Sequence, residues 1–256
     1  MIFDTHAHYS DDSFAEDREA LLGSMAEQGV GTIVEVGASL ASTKQAVALA
    51  EQYPFVYASV GVHPEEVAEL TEADIQWMAN LTKQEKVVAV GEIGLDYHYE
   101  DPVREIQKEW FVKQLQMAAE TQMPVIIHSR EAAEDTLQLM EQHCAWENGG
   151  VIHCFSYSRE MAQIYLKKGF YLGIGGVLTF KNARKLKEVV EAAPLERIVL
   201  ETDAPYMTPV PYRGKRNDSH YLTYVVDAIA EIKGVDRQEV IKVTEANARQ
   251  MYRMDK

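Results

Sequence analysis

The stretch Ile2-Phe3-Asp4-Thr5-His6-Ala7-His8 begins as a short apolar run and ends in two histidines two residues apart. Side chains alternate along an extended chain, so this spacing points both imidazoles to one face. The same pattern, a β-branched apolar run closing on a polar residue, recurs down the chain. Strands are expected at 2–5, 32–36, 56–60, 87–90, 125–127, 151–153, 171–174 and 198–200. Between them lie stretches long enough for crossover helices. The clearest is 103–121, where Trp110, Phe111, Leu115, Ala118 and Ala119 recur at the spacing of one buried helix face. Strands alternating with helices indicate βα units in a parallel sheet. No Pro/Gly/Ser-rich linker interrupts them, so a single domain over 1–256 is expected. Eight such repeats predict an α/β fold of the (β/α)8 TIM barrel type, since a doubly wound open sheet more often uses fewer strands. An extra C-terminal helix is expected at 236–251, with Asp236 as N-cap and Glu239 as its capping-box partner.

Composition narrows the classes. With 46% hydrophobic residues among 256, the chain can bury a large core, which excludes disorder and fibrous repeats. The N-terminus lacks the basic stretch and apolar run of a leader, and no apolar run is long enough to span a bilayer; a cytoplasmic protein without membrane contact is expected. Cys144 and Cys154 are the only cysteines. They cannot make a disulfide framework and read as buried apolar side chains in a reducing compartment. The formal charge of −15 opposes long-range attraction of a polyanion. Any affinity for nucleic acid must then be local, from bound cations and from Tyr212-Arg213-Gly214-Lys215-Arg216-Asn217.

The ends of parallel barrel strands converge on one mouth. His6 and His8 follow the first strand, His63 the third, Glu92 the fourth and His128 the fifth; His153 ends the sixth and Asp203 follows the eighth. A lone His-x-His is weak evidence, and a carboxylate at a strand end is usually a helix cap or a solvated charge. Ligand-type residues at one phase of five βα units are a different matter. They point to a metal site made by His6, His8, Glu92, His128, His153 and Asp203. Four imidazoles and two carboxylates suit two divalent ions, zinc, manganese or another transition ion better than magnesium. Two ions about 3.5–4 Å apart could polarise a phosphoryl oxygen and bind a hydroxide nucleophile. With both carboxylates ionised the centre would carry about +2, attractive to phosphate on an acidic protein.

Other residues read less sharply. His63 precedes Pro64 and is expected to turn from the metals toward substrate. Arg130 and the loop cluster Arg213, Lys215 and Arg216, with Asn217, are candidates for holding substrate phosphates, although charge clusters are usually only solvated. Glu201 shares a face with Asp203 and either orients a ligand or pairs with a core Arg or Lys. Gly173-Ile174-Gly175-Gly176 fits a phosphate cradle or a tight turn equally well. His98, His143 and His220 carry no such phase signal.

Taken together, Asp4-Thr5-His6-Ala7-His8, Gly61-Val62-His63-Pro64, Gly91-Glu92-Ile93-Gly94-Leu95-Asp96-Tyr97, Pro124-Val125-Ile126-Ile127-His128-Ser129-Arg130, His153-Cys154-Phe155-Ser156 and Glu201-Thr202-Asp203-Ala204-Pro205 resemble, in order, the motifs of the TatD family of metal-dependent hydrolases. Pro211-Tyr212-Arg213-Gly214-Lys215-Arg216-Asn217 matches the family's later loop. The resemblance implies deoxyribonuclease action on phosphodiester bonds, 3′→5′ on single-stranded or damaged DNA. It also implies that His6 and His8 bind a first metal, that His128 and His153 bind a second and that Glu92 bridges. Asp203 would complete the first site and act as general base toward the metal-bound water. The family often shows Phe-Ser-Gly where this chain has Phe155-Ser156-Tyr157, which bears on the fit of a long polymer. The expected partner is DNA or a small phosphodiester, with no obligate protein partner evident. The alternative enzyme class is hydrolysis of a small cyclic amide, lactone or ester. Many of those related barrels bridge their metals with a carboxylated Lys at the end of strand four, where this chain has Glu92, while Lys86 lies at the strand's other end. A non-enzymatic metal-binding interaction protein is the third class.

Overall fold

A parallel strand buried on both faces needs apolar side chains on both, so it reads as a near-continuous apolar run. All ten residues of Val87–Asp96 are buried in this way. The computed structural model describes residues 1–254. Its strands are β1 (Ile2–Ala7), β2 (Val30–Val36), β3 (Val56–Val60), β4 (Val87–Asp96), β5 (Val125–Arg130), β6 (Gly150–Ile152), β7 (Tyr171–Ile174) and β8 (Ile198–Leu200). Its helices are α1 (Arg18–Gly23), α2 (Leu40–Gln52), α3 (Glu72–Leu81), α4 (Arg104–Thr121), α5 (Ala133–Gln142), α6 (Arg159–Lys167), α7 (Arg184–Ala192), α8 (Leu222–Lys233) and α9 (Arg237–Met251). Sheet order is chain order from β1 to β8. Parallel neighbours in that order need a crossover between every pair, which the helices supply. This is a (β/α)8 TIM barrel with α9 as its additional C-terminal helix.

Two compact units make up the chain, Met1–Glu35 with His153–Lys256, and Val36–Ile152. In the first, the chain's opening strand lies beside its last. Thr5 Oγ1 donates to the Leu200 carbonyl at 2.9 Å. The His8 and Asp203 amides donate to the carbonyls of Ala204 and His6. That neighbourhood separates a closing barrel from an open sheet, whose end strands stay apart. Helix α9 seals the same place: Tyr252, just past it, donates its hydroxyl to the Thr5 carbonyl at 2.8 Å, and Asn247 gives both amide hydrogens to Leu195 and Ile198. In the second unit, β3 to β6 pair in succession, all parallel.

Several local expectations are corrected. Strands β1, β4 and β5 continue past the ends of their apolar runs, so His6, Glu92 and His128 lie within strands, whereas His153 lies just beyond β6. On α4, Ala119 is exposed and the buried face carries Gln107 and Gln114 instead. Cys144 is exposed and Cys154 half-buried. Asp236 does cap α9, but its carboxylate accepts from the Gln238 amide rather than closing a box with Glu239. Among the described residues no helix is long and apolar enough to cross a membrane.

Candidate metal centre

The first unit gathers His6, His8 and Asp203. The two imidazoles approach with Nε2 atoms 3.1 Å apart. Asp203 Oδ1 stands 3.8 Å from His6 Nε2 and 3.5 Å from His8 Nε2. These donor atoms all fall within 4.8 Å of one another. Asp203 is reached by an unusual backbone: its φ is +55°, a left-handed conformation that costs a non-glycine residue about 1–3 kcal/mol. Hydrogen bonds hold it there, its own amide to the His6 carbonyl at 2.9 Å and the Tyr206 amide to its carbonyl at 2.8 Å. Burial acts to raise the Asp203 carboxyl, but its hydrogen bond to His8 and the charges of His153, His6 and His8 outweigh this and hold it below the usual carboxylate range.

Two further buried acids, Asp4 and Glu35, brace this group. Asp4 accepts from Ser219 Oγ at 2.6 Å, from Thr202 Oγ1 at 2.7 Å, and from the Thr202 and His6 amides at 3.0 and 3.2 Å. It thereby ties the backbone before Asp203 to that of His6. Burial pushes its carboxyl up to about 7 against those four hydrogen bonds. Glu35, at the end of β2, accepts the Tyr9 and Ser10 amides at 2.7 Å each and so fixes the turn after His8. Acids inside apolar strands were the legible signal for both.

Behind His6 stands a second donor group. The His153 ring stacks on the His6 ring with centroids 3.8 Å apart and planes 15° from parallel. Glu201, 1% exposed, accepts the Cys154 amide on Oε1 at 2.5 Å and sits 3.6 Å from His153 Nδ1. Its neighbour is therefore a histidine, in place of the Arg or Lys expected from sequence. The glycine run beside it makes space rather than a cradle: a Cβ at Gly173 would overlap the Glu201 carboxylate, and one at Gly176 the Met207 carbonyl.

The second unit gathers His63, Glu92 and His128. His128 makes contacts with Glu92 Oε1 at 2.8 Å through Nδ1 and with Asp96 Oδ2 at 2.9 Å through Nε2. His63 Nδ1 accepts the Glu65 amide at 3.2 Å, which turns Nε2 toward Glu92 Oε1 at 3.8 Å. The His63 and His128 rings meet edge-on with centroids 4.3 Å apart. His63 thus stands with the ligand-type residues instead of turning from them. Asp96 went unassigned in the sequence; four residues beyond Glu92 in a strand, it shares that residue's face. Burial opposes ionisation of Asp96, but the His128 hydrogen bond, the His98 amide and the nearby His128 and Arg130 charges hold its carboxyl low. The α4 glutamines set both strand ends. Gln107 Oε1 accepts the Asp96 amide at 2.9 Å, and Gln114 bonds both the amide and the carbonyl of Val62, next to His63.

Of the substrate candidates, Arg130 is half in solvent, 3.9 Å from Asp96 Oδ2 and stacked over Tyr99. Arg213 lies exposed over the Phe180 ring at 4.0 Å. Arg216 is committed to Asp17 through two contacts of 2.8 and 2.6 Å. Asn217 is 1% exposed and spends both amide hydrogens on the Thr202 and Tyr206 carbonyls at 2.9 and 2.7 Å, so its side chain has no hydrogen left for a substrate. His98 pairs with Glu131, and His220 with Asp218.

The donor chemistry fits divalent ions. Imidazole nitrogens and carboxylate oxygens crowd together in each group, and Glu201 Oε2 is a buried oxygen with no hydrogen-bond partner. Withdrawing such an oxygen from water is costly unless a cation compensates. The TatD related DNase family profile matches residues 3–253. The chain belongs to that family. Over 255 residues it is 42% identical to the uncharacterized metal-dependent hydrolase YabD of Bacillus subtilis, covering the whole of both chains. It is 34% identical over 257 residues to the 3'-5' ssDNA/RNA exonuclease TatD of Salmonella typhimurium, with 98% of each covered. The crystal structure of YJJV, a TatD homolog from Escherichia coli K12, superposes with a TM-score of 0.93 at 31% identity, with 98% of each chain covered. The protein is a TatD-family metal-dependent hydrolase.

Proposed function

We propose that this TatD-family hydrolase cleaves phosphodiester bonds from the 3′ end of single-stranded DNA and works with two divalent ions of the zinc, manganese or magnesium kind. The observation that carries this reading is the presence of two separate three-donor groups, His6 with His8 and Asp203, and His63 with Glu92 and His128. The relative named as a 3'-5' ssDNA/RNA exonuclease supports the choice of substrate. When bound, the ions supply positive charge that polarises a phosphoryl oxygen and lowers the pKa of water.

The chain's own residues do the rest. Asp203, with its carboxyl held low, is ionised at neutral pH and accepts the proton that water loses as it adds to phosphorus. His128 is kept in one orientation by Glu92 and Asp96, so it needs no reorganisation when charge develops beside it. The bridging role of Glu92 belongs to this proposal and rests on the family resemblance. His153 joins the ligands, and the exposed guanidinium groups of Arg130 and Arg213 hold substrate phosphates.

Metal-loaded protein would be assayed on 3′-labelled single-stranded DNA, a small aryl phosphodiester and a cyclic amide, each with and without chelator. The DNA and the phosphodiester should turn over and the chelator should stop both. Glu92→Ala and Asp203→Ala should each lower kcat by on the order of 100-fold or more. Rapid amide turnover with inert DNA and inert phosphodiester would overturn the reading.

A further inference from the structure

Glu201, 1% exposed, is a buried acid whose chemistry the proposed reaction leaves unused. One of its oxygens is accounted for by the Cys154 amide. The other, Oε2, is buried and accepts no hydrogen bond. A carboxyl oxygen withheld from water and left without a hydrogen-bond partner carries an uncompensated desolvation cost. Such groups are rare in native folds, and an ion that completes them is one physical reason for keeping one.

The surroundings point to what completes it. His6 and His153, stacked face to face, each bring a ring nitrogen that lies with a Glu201 oxygen inside a 4.8 Å group. All three residues are buried, and a Cβ at Gly173 would overlap Glu201 Oε2, so the glycine leaves that oxygen its room. Gly173 has an ordinary backbone conformation that any residue could adopt, so only the space calls for glycine there. Two imidazoles and a carboxylate form a compact donor set for a divalent transition ion, with one anionic member to offset its charge.

We infer that Glu201 is itself a metal ligand, holding a divalent cation together with His6 and His153, and that Gly173 is kept without a side chain to let its carboxylate reach that cation. This adds a carboxylate to the set of His6, His8, Glu92, His128, His153 and Asp203. It rests on the metal-dependent part of the proposed function and not on the choice of substrate.

The test uses the full chain carrying Glu201→Gln or Gly173→Ala, with zinc and cobalt(II) as probes. Binding is read by competition with a chromophoric chelator, by bound metal per chain after dialysis, and by the visible spectrum of the cobalt form. Glu201→Gln can still accept the Cys154 amide, so a purely structural role would leave all three readouts unchanged. The inference expects at least about tenfold weaker binding of one ion and an altered cobalt spectrum. It also expects a smaller zinc-induced rise in Tm, while in chelator the variant melts no lower than the parent. Gly173→Ala keeps the charge but displaces the carboxylate, and should weaken the same ion. If that variant does not fold, Glu201→Gln decides alone. Unchanged affinity and spectrum in Glu201→Gln would overturn the inference while leaving the proposed function intact. Metal affinity is read without turnover, so inert DNA would sink the substrate reading without touching this result. A parent chain that binds no ion would sink both.

Discussion

Asn217 shows how far residue type alone can mislead about role. An asparagine within a basic loop reads as a substrate contact, yet its amide bridges the carbonyls of Thr202 and Tyr206, the residues flanking the turn that carries Asp203. Replacing it by Ala leaves the buried Thr202 carbonyl and the Tyr206 carbonyl without this partner. Asn217→Ala should therefore cost about 2 kcal/mol in urea unfolding. It should also lower kcat more than it changes KM, because the left-handed conformation of Asp203 loses its brace; an unchanged kcat in steady-state assays would show that the turn holds without it. His63 erred in the opposite direction. Its neighbour Pro64 suggested a ring aimed away, but the Glu65 amide takes Nδ1 and leaves Nε2 facing Glu92. Neither outcome was available from the residues in order, because each depends on a hydrogen bond whose geometry the turn decides.

At the scale of elements, the strands were legible because each must bury both faces. Their ends were not. Strand β4 keeps pairing with β5 through Ile93 with Ile127, Gly94 with His128, Leu95 with Ser129 and Asp96 with Arg130, well after the apolar run has stopped. Backbone pairing is indifferent to side-chain polarity, and here it carries polar groups into the strand. Helix α4 makes the related point from the other side. Apolar spacing predicts its buried face, but Gln107 and Gln114 occupy it because they satisfy backbone groups of Asp96 and Val62 that would otherwise be buried without partners. The cap residue Asp236 predicts helix α9, although the cap bond goes to Gln238. Asp236→Ala should lower stability by about 1 kcal/mol in a denaturant titration and leave kcat unaltered. A loss of activity without loss of stability would contradict a purely capping role.

For the whole molecule, the charge of −15 sets the terms of any encounter with nucleic acid. Of the three cations in the loop after β8, Arg213 and Lys215 are exposed and the third is tied down. Arg216 is paired with Asp17, which leaves Arg213 as an exposed guanidinium of that loop. The salt dependence of single-stranded DNA binding should thus be shallow, and Arg213→Ala should reduce the slope of log K against log salt by about one while raising KM more than it lowers kcat. An unchanged slope would remove Arg213 from the substrate path. The amino-acid sequence by itself determined the number and order of the βα units and the chemical types at their strand ends, because periods of two and of 3.6 residues arise between near neighbours in the chain. Only the tertiary structure decided which of those side chains meet. Glu201 joins His153, and Asp4 braces Thr202 across 198 residues of chain, because partners that far apart are brought together by strand pairing and register, to which local periodicity is blind.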